Sequence, residues 1–270
     1  MITKKIGIIG CGNMGEALLA RLSSVVEKST SLIVSESDAA RRDAIQEKYR
    51  IIVAIDNNYL VKYSDVIILA VKPKDIDNLL KAEVCCGVSK DKLLISIAAG
   101  ITTEHIENIV GKDVPVIRVM PNMPAVIGAG VSGISSGSAA KREHMEIAKE
   151  IFAAVGEAVE VDEELADAVT AISGSVPAYF FYLIEALIEA AGELGLDEDV
   201  AKKLVSKTAL GSARLLEATK EGPSLLRAKV TSKGGTTEAA IKVFESKRFK
   251  DMVKEAVKRA CKRSKELSEG

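Results

Sequence analysis

The stretch Lys5-Ile-Gly-Ile-Ile-Gly-Cys-Gly-Asn-Met-Gly15 decides the fold. Its apolar first half predicts a buried strand, and Gly10, Gly12 and Gly15 follow with G-x-G-x-x-G spacing as the helical pattern Met14–Leu22 begins. The first glycine of such a turn allows the tight bend, the second lets a pyrophosphate approach bare backbone, and the third lets the helix press onto the strand. The anion then sits on unpaired N–H groups at a helix N-terminus. The stretch predicts a dinucleotide site; the alternative is a tight turn that binds nothing.

Strand and helix patterns alternate outward from this turn to about residue 160. The further predicted strands are 31–35, 51–54, 66–70, 93–96, 114–120, 130–134 and 158–161, and the predicted helices include 38–48, 103–110 and 139–154. Such alternation is typical of βαβ units and a parallel sheet. It predicts an α/β, doubly wound, dinucleotide-binding domain over residues 1–161.

The strand patterns end after Asp162, and amphipathic helical patterns take their place. The predicted helices are 163–172, 177–194, 197–220, 223–230, 236–246 and 249–267. This half predicts an all-α domain over residues 162–270. Wide apolar faces such as Ala178–Leu187 would leave much apolar surface exposed in a small domain, so we expect a homodimer formed through this half.

Composition excludes several classes of partner. The chain has 270 residues, 47% of them hydrophobic, which at roughly 100–200 residues per domain favours two domains. Lys plus Arg number 37 and Asp plus Glu 38, with no long block of like charge, so we expect no nucleic-acid partner. Apolar runs such as Val66–Val71 are shorter than the ~18 residues of a membrane span. The N-terminus lacks a signal-peptide pattern, so we expect a cytoplasmic protein without a membrane partner.

The cysteines predict neither a metal site nor a redox pair. Cys11, Cys85, Cys86 and Cys261 lack metal-ligand or C-x-x-C spacing, and the chain has only two histidines. We therefore interpret the cysteines as reduced and structural, and we predict no metal.

The choice between NADH and NADPH stays open on the sequence. An acidic residue about 20 positions after the glycines would bind the ribose 2′-hydroxyl and disfavour a 2′-phosphate, and Glu36 stands there. Against this, Ser35 and Ser37 flank Glu36, and Arg41-Arg42 lie one helical turn on, where a guanidinium could bind a phosphate. A third possibility makes Glu36 a solvated loop residue beside an Asp38 helix cap.

No side chain stands out as the acid that a carbonyl reduction needs. His105 and His144 both lie in charged helical patterns, which favours surface positions. A substrate that already carries its proton, such as an iminium ion, needs no strong acid. This weakly favours reduction of a C=N bond.

Two turns in the second half could bind a substrate. Ser232-Lys-Gly-Gly-Thr-Thr237 supplies hydroxyl and N–H donors directly before an apolar helix, an arrangement that can hold a carboxylate. The alternative is ordinary N-capping. Ser173-Gly-Ser175 precedes Pro177 at the start of the longest apolar helix, and the alternative there is a packed kink between helices.

The chain contains a set of motifs that occur in the same order in pyrroline-5-carboxylate reductases, and over nearly its whole length it resembles this family. These enzymes reduce a cyclic imino acid to proline in the last step of proline biosynthesis. The motifs are Ile8–Gly15, Ser64–Pro73, Ser96–Gly100, Arg118–Pro124, Ala168–Tyr179 and Val230–Thr237. The resemblance implies hydride transfer from NADH or NADPH, a Rossmann-type first domain and a helical domain that interlocks with a partner, often within a ring of dimers.

The resemblance also implies roles for individual residues. Thr237 would hydrogen-bond the ring nitrogen as the catalytic group. The resemblance implies Glu163, Ser232, Gly234, Gly235 and Thr236 as further substrate-binding residues, and the turn before Pro177 adds Ser173 and Ser175 as candidates from spacing. It implies as cofactor-binding residues Ile9, Gly10, Cys11, Gly12, Asn13, Met14, Glu36, Asn57, Ala70, Val71, Lys72, Pro73 and Ala99, and the position beside Glu36 adds Ser35 as a candidate.

Two departures from the family pattern leave rival hypotheses open. Val176 stands where the family usually has glycine, and Lys233 stands where it usually has proline. We expect these two residues to affect substrate preference and turnover more than the class of reaction. One rival is a hydroxyacid dehydrogenase with Lys203 or Lys207 as its acid or base. The other is a catalytically silent dinucleotide-binding module that acts through its helical surface.

Overall fold

The computed structural model describes residues 2–26 and 31–268, with side chains as far as residue 266. Met1, residues 27–30 and residues 269–270 fall inside the predicted domain ranges but lie outside the described residues. The chain forms two compact units. One comprises Met1–Ser175 with Ala260–Gly270, and the other comprises Val176–Arg259.

The first unit is built on an eight-stranded sheet in the order β3-β2-β1-β4-β5-β6-β7-β8. The strands are β1 Ile6–Ile9, β2 Leu32–Ser35, β3 Ile52–Val53, β4 Val66–Leu69, β5 Leu93–Ser96, β6 Val116–Met120, β7 Gly130–Ser136 and β8 Gly156–Glu160. All neighbours pair in parallel except β6 and β7, which are antiparallel. The link between those two holds only a short helical turn, Met123–Ile127, and parallel pairing requires a longer crossover.

Helices connect the parallel strands. The helices of this unit are α1 Asn13–Leu22, α2 Ala39–Tyr49, α3 Asn57–Tyr63, α4 Pro73–Leu79, α5 Thr103–Val110, α6 Arg142–Ala153 and α7 Ala166–Val169. The sequence patterns did not predict α3 and α4. Each has seven residues, which is too short for a clear helical period.

Both faces of the sheet are covered by apolar side chains. Ile8 and Ile68 belong to one buried cluster, and Ile9 and Ile67 belong to another. Central strands of this kind are buried on both sides, so their sequences are continuous apolar runs rather than alternating ones. This confirms the predicted α/β fold with a doubly wound sheet.

The second unit is helical, with α8 Val176–Glu193, α9 Glu198–Thr219, α10 Pro223–Lys229, α11 Thr236–Ser246 and most of α12 Phe249–Ser268. Large apolar side chains remain exposed on α8: Phe180 is 59% exposed, Phe181 57% and Tyr182 74%. Among the described residues, one helical stretch, Glu163–Glu193, is long and apolar enough to cross a membrane. Length and composition are weak grounds for a span, and an interface helix has the same properties.

The two compact units divide the chain later than the predicted domain boundary. The 3₁₀ turn Glu163–Leu165, α7 and the π turn Thr170–Gly174 all belong to the first unit. The C-terminal end of α12 also belongs there, and the Ser264 hydroxyl donates a hydrogen bond to Asp167 at 2.6 Å. The compact units therefore do not test the domain boundary between residues 161 and 162, which stays a prediction.

Candidate active site

The glycine turn between β1 and α1 has the geometry of a dinucleotide-binding turn. Gly10 has a φ of +90°, and a Cβ there would lie 2.9 Å from the Ala70 carbonyl oxygen. A Cβ on Gly15 would collide with the Gly10 carbonyl oxygen. By contrast, a Cβ on Gly12 would meet no described atom within 4 Å. The first and third glycines are therefore required by the fold, whereas the space beside Gly12 is open for a ligand.

Sheet topology brings most of the predicted cofactor residues to one edge. Gly10 follows β1, Ser35 ends β2, Ala70 follows β4 and Ala99 lies just after β5. These strands are neighbours and parallel, so their carboxyl ends lie together. The chain reverses its winding direction between β1 and β4, and this is where ligands bind in open α/β sheets.

Asn57 fits a cofactor position. It is the first residue of α3, which Asp56 caps, and its Nδ2 donates a hydrogen bond to Glu83 at 2.8 Å. Its Oδ1 is buried and has no hydrogen-bond partner among the described residues. A buried acceptor without a donor is costly, and a bound dinucleotide could supply that donor. Lys72 is the N-cap residue of α4, with no capping hydrogen bond from its side chain, and Pro73 is the first residue of the helix. Their contact with a cofactor stays a prediction.

Glu36 is hydrogen-bonded to the glycine turn rather than free in solvent. Its Oε2 accepts the Cys11 N–H at 2.9 Å, and its Oε1 accepts the Asp38 N–H at 3.0 Å. Asp38 itself caps α2 by accepting the Arg41 N–H at 2.8 Å. The predicted helix cap is therefore present, but the solvated Glu36 that accompanied it in that alternative is not.

A second set of charges holds α2 against the same turn, and sequence reasoning missed it. The Arg41 Nε donates to the Cys11 carbonyl at 2.6 Å, and its Nη2 lies 3.3 Å from a Glu16 oxygen. Glu16 also accepts hydrogen bonds from Lys48 at 3.0 Å and from the Tyr49 hydroxyl at 3.1 Å. The bond from Lys48 is the main cause that lowers the pKa of Glu16. The only feature of the sequence that could have indicated these contacts is the presence of acidic and basic residues in α1 and α2.

Cys11 is an inert part of the turn. Burial, assisted by the negative charges of Glu36 and Glu16, raises the pKa of its thiol to about 12. The thiol is therefore neutral at physiological pH and a poor nucleophile. The described cysteines form no disulfide in this structure, and their reduced state stays a prediction from the sequence.

Glu163 lies in a partly buried polar cluster of the first unit. Its carboxylate accepts the Thr103 N–H at 2.8 Å and the Thr103 hydroxyl at 2.5 Å, so it caps the start of α5. Arg118, 5% exposed, reaches Glu163 at 3.4 Å, while its Nε and Nη2 have no partner among the described residues. The cluster lies at the carboxyl end of the sheet and gives Glu163 a structural role. Its predicted contact with the imino acid stays a prediction.

Ser173 and Ser175 lie in and just after the π turn Thr170–Gly174. The Asn122 Nδ2 reaches the Ser173 carbonyl at 3.3 Å, and the Asn122 Oδ1 accepts the Val131 N–H at 3.0 Å. The Ser175 N–H donates to the Thr170 carbonyl at 2.9 Å, which closes the π turn. This geometry matches the packed-kink alternative, and it leaves substrate binding by the two serines as a prediction.

The predicted substrate turn lies at the N-terminus of α11 in the second unit. Gly234 has a φ of +75°, and its N–H donates to the Glu238 carboxylate at 2.8 Å. The Gly235 N–H donates to the Ser232 carbonyl at 3.0 Å. Thr236 and Thr237 are the first two residues of α11, so their N–H groups have no acceptor within the helix. The N–H groups at the start of α11, including those of the two threonines, are therefore the available backbone donors of this turn.

The remaining candidates show no sign of a catalytic acid. The His105 Nε2 lies 2.5 Å from Asp77, and the His144 Nδ1 accepts the Lys141 N–H at 2.9 Å. Lys203 and Lys207 are exposed on α9. Among the described residues, no cluster of three or more His, Cys, Asp or Glu could hold a metal ion.

Comparisons with known proteins cover both halves of the chain. A family model described as pyrroline-5-carboxylate reductase dimerisation matches residues 163–267, and one described as NADP oxidoreductase, coenzyme F420-dependent, matches residues 5–100. A pyrroline-5-carboxylate reductase of Synechocystis is 43% identical over 266 residues, which cover 97% of this chain and 98% of that protein. The chain belongs to the pyrroline-5-carboxylate reductase family.

Other members of the reductase family agree in sequence and in fold. The Arabidopsis thaliana pyrroline-5-carboxylate reductase is 39% identical over 98% of this chain and 96% of its own length. The structure of the reductase from Coxiella burnetii superposes with a TM-score of 0.90 at 36% identity, covering 99% of both chains. The Plasmodium falciparum enzyme, solved with NADP bound, gives a TM-score of 0.88 at 30% identity, covering 99% of both chains. The family resemblance and the predicted fold class are both confirmed.

Proposed function

We propose that this chain reduces the C=N bond of 1-pyrroline-5-carboxylate to give L-proline, with NADPH or NADH as the hydride donor, as the last step of proline biosynthesis. The observation that carries this function is the similarity to pyrroline-5-carboxylate reductases over the whole chain, at 43% and 38% identity for two of them. The chain is accordingly an NAD(P)H-dependent oxidoreductase.

The first unit holds the dinucleotide in this proposal. When bound, the reduced dinucleotide supplies a hydride from C4 of its nicotinamide. The open backbone at Gly12 and the N-terminus of α1 bind the pyrophosphate, and the buried Asn57 Oδ1 accepts a hydrogen bond from the cofactor. Ala70 to Pro73 and Ala99 line the same edge of the sheet.

The second unit holds the imino acid. The Thr236 and Thr237 N–H groups and the positive end of the α11 dipole neutralise the carboxylate of the substrate. The Ser232 hydroxyl adds a further donor, while Gly234 and Gly235 give the turn its shape, since their own N–H groups are used within the chain. The Thr237 hydroxyl hydrogen-bonds the ring nitrogen, whose electron density rises as the hydride arrives.

This arrangement needs no strong acid, because a protonated imine already carries its proton. Positioning of the two reactants and neutralisation of charge are then the main sources of rate acceleration. The structural partners of His105 and His144 are consistent with this mechanism.

Residues 162–270 form the substrate-binding and dimerisation domain in this proposal. Pairing of two chains would cover Phe180, Phe181 and Tyr182, which α8 leaves exposed. The dimerisation family model over residues 163–267 supports an oligomer, which in this proposal is a homodimer or a ring of dimers. The cytoplasmic location and the absence of membrane and nucleic-acid partners stay predictions from the sequence.

An assay of nicotinamide oxidation tests the function. We expect the cyclic imino acid to be reduced with at least one of the two cofactors. Oxidation with a β-keto acid but not with the imine would favour the dehydrogenase alternative. Tight dinucleotide binding without turnover of any imine would favour the silent binding module.

A further inference from the structure

The carboxylate cluster at the glycine turn bears on which dinucleotide the chain selects. We propose that Glu36 makes this chain bind NADH in preference to NADPH. The inference rests on the proposed function, since it concerns the dinucleotide site of that reaction, and it settles the choice that the sequence leaves open.

Glu36 is fixed in place by the backbone around it. One carboxylate oxygen accepts the Cys11 N–H at 2.9 Å, and the other accepts the Asp38 N–H at 3.0 Å and lies 3.3 Å from the Ser37 hydroxyl. Both oxygens therefore accept hydrogen bonds from the chain, and rotation of the carboxylate would break these charge-assisted bonds. Oε2, for which the described residues supply a single donor, can still accept a further hydrogen bond.

The position of this carboxylate distinguishes the two cofactors. Glu36 directly follows β2, and an acidic residue there reaches the adenine ribose in dinucleotide-binding folds. A fixed carboxylate accepts a hydrogen bond from a ribose 2′-hydroxyl. It repels a 2′-phosphate, which is negatively charged and offers no comparable donor.

The Arg41 guanidinium, which could otherwise bind a 2′-phosphate, is already hydrogen-bonded within the chain. Arg41 donates through Nε to the Cys11 carbonyl and through Nη2 to Glu16, so binding a phosphate would compete with both contacts. Arg42 lies 4.0 Å from Asp43, and its side chain is 41% exposed. An exposed cation of this kind is screened by salt and attracts a phosphate only weakly.

Two carboxylates, those of Glu36 and Glu16, act on the buried thiol of Cys11. After burial, Glu36 and Glu16 are the next causes that raise its pKa to about 12, and the opposing effect of Arg41 is smaller. The two carboxylates therefore affect this thiol more than the Arg41 guanidinium does, which agrees with the hydrogen bond that holds Glu36 at the turn.

Titration of the full-length chain with NADH and with NADPH, followed by nicotinamide fluorescence at fixed ionic strength, tests the inference. We expect the wild-type chain to bind NADH about 10-fold or more tightly than NADPH, the effect of one hydrogen bond to a charged group. Glu36→Gln keeps the size of the side chain and removes its charge, so the preference should fall by about 10-fold, mainly through tighter NADPH binding. Glu47→Gln is the matched control, because it removes an exposed carboxylate from the same α2 helix and should leave the ratio unchanged.

Each outcome decides a different point. Equal or tighter binding of NADPH by the wild-type chain overturns the inference while leaving the proposed function intact. An unchanged ratio in folded Glu36→Gln also overturns it. If the folded wild-type chain binds neither dinucleotide, the proposed function fails as well. If the variant does not fold, equal or tighter binding of NADPH by the wild-type chain still overturns the inference.

Discussion

At the scale of single residues, the proposed chemistry depends most on Thr237. Replacing Thr237 with Ala removes the hydroxyl that meets the ring nitrogen, and we expect kcat/KM for the imino acid to fall by about 10–1000-fold, the range of a single lost transition-state contact. Thr237→Ser keeps a hydroxyl and should retain most of the activity. Steady-state kinetics, with dinucleotide affinity as a control that stays constant, provide the measurement. Unchanged kinetics in Thr237→Ala would remove this residue from the mechanism.

Glu16 gives a prediction about pH. Its pKa is lowered from 4.5 in the folded chain, mainly by the hydrogen bond from Lys48. The ionised carboxylate therefore stabilises the fold above the unfolded-state pKa, and this contribution is lost as the pH falls through the folded-state pKa. Because Glu16 is partly exposed and its interactions are screened by solvent, we expect its carboxylate to contribute at most about 1 kcal/mol.

Glu16→Gln should therefore be slightly less stable than the wild type at neutral pH, and the difference should shrink in acid. Urea unfolding at pH 7 and well below pH 4.5 measures this. Glu47→Gln, on the exposed side of α2, should show no such pH-dependent difference. A difference between Glu16→Gln and wild type that grows in acid would contradict the assignment.

The residues of the site differ in how far the sequence predicts them. Glu36 follows from its spacing after the glycines, because strand and helix lengths in a βαβ unit are limited. Its bond to the Cys11 N–H and the approach of Arg41 do not follow, since they depend on how α2 packs against the turn. The hydrogen bonds that Thr103 and Arg118 make to Glu163 join segments 60 and 45 positions apart. No local pattern encodes such contacts.

At the scale of elements, we expect two glycines of the turn between β1 and α1 to have different roles, since Gly15 is needed for folding and Gly12 for binding the dinucleotide. A Cβ at Gly15 would press on the Gly10 carbonyl, so Gly15→Ala should destabilise the chain by about 1–3 kcal/mol, as overpacking does. A Cβ at Gly12 has open space, but Gly12 is the N-cap of α1, where glycine is preferred to alanine, so Gly12→Ala should destabilise the chain by at most about 1 kcal/mol.

Gly12→Ala should instead weaken dinucleotide binding by about 10-fold or more, because the methyl group occupies the space through which the pyrophosphate approaches. Urea unfolding and nicotinamide fluorescence measure the two effects separately. Wild-type dinucleotide affinity in Gly12→Ala would show that the pyrophosphate does not bind at this turn.

Long periodic segments were the predictable elements. The helices α9 and α12 match their predicted ranges within a few residues, because both their apolar period and their length favour a helix. The short strand β4 also matches, because its residues form a continuous apolar run. The antiparallel pairing of β7 was not predicted, since strand patterns carry no direction. The π turn at Thr170–Gly174 lies within helical patterns, and only its hydrogen bonds distinguish it from an α-helix.

At the scale of the whole molecule, the exposed apolar residues of α8 require a partner surface. We expect light scattering to give a mass of at least twice the 28.7 kDa of one chain. Phe181→Glu places a charge on the exposed apolar face and should shift the chain towards monomers. Lys90→Glu, an exposed charge reversal in the first unit, should leave the mass unchanged. A wild-type mass of one chain would contradict the proposed dimer.

Transfer of deuterium from the cofactor to the product tests the central claim most directly. Incubation of the chain with 1-pyrroline-5-carboxylate and a reduced dinucleotide carrying deuterium at the transferred C4 position should give L-proline with one deuterium at ring carbon 5, detected by mass spectrometry and NMR. Recovery of no proline, or of proline without the label, would contradict direct hydride transfer to the imine carbon.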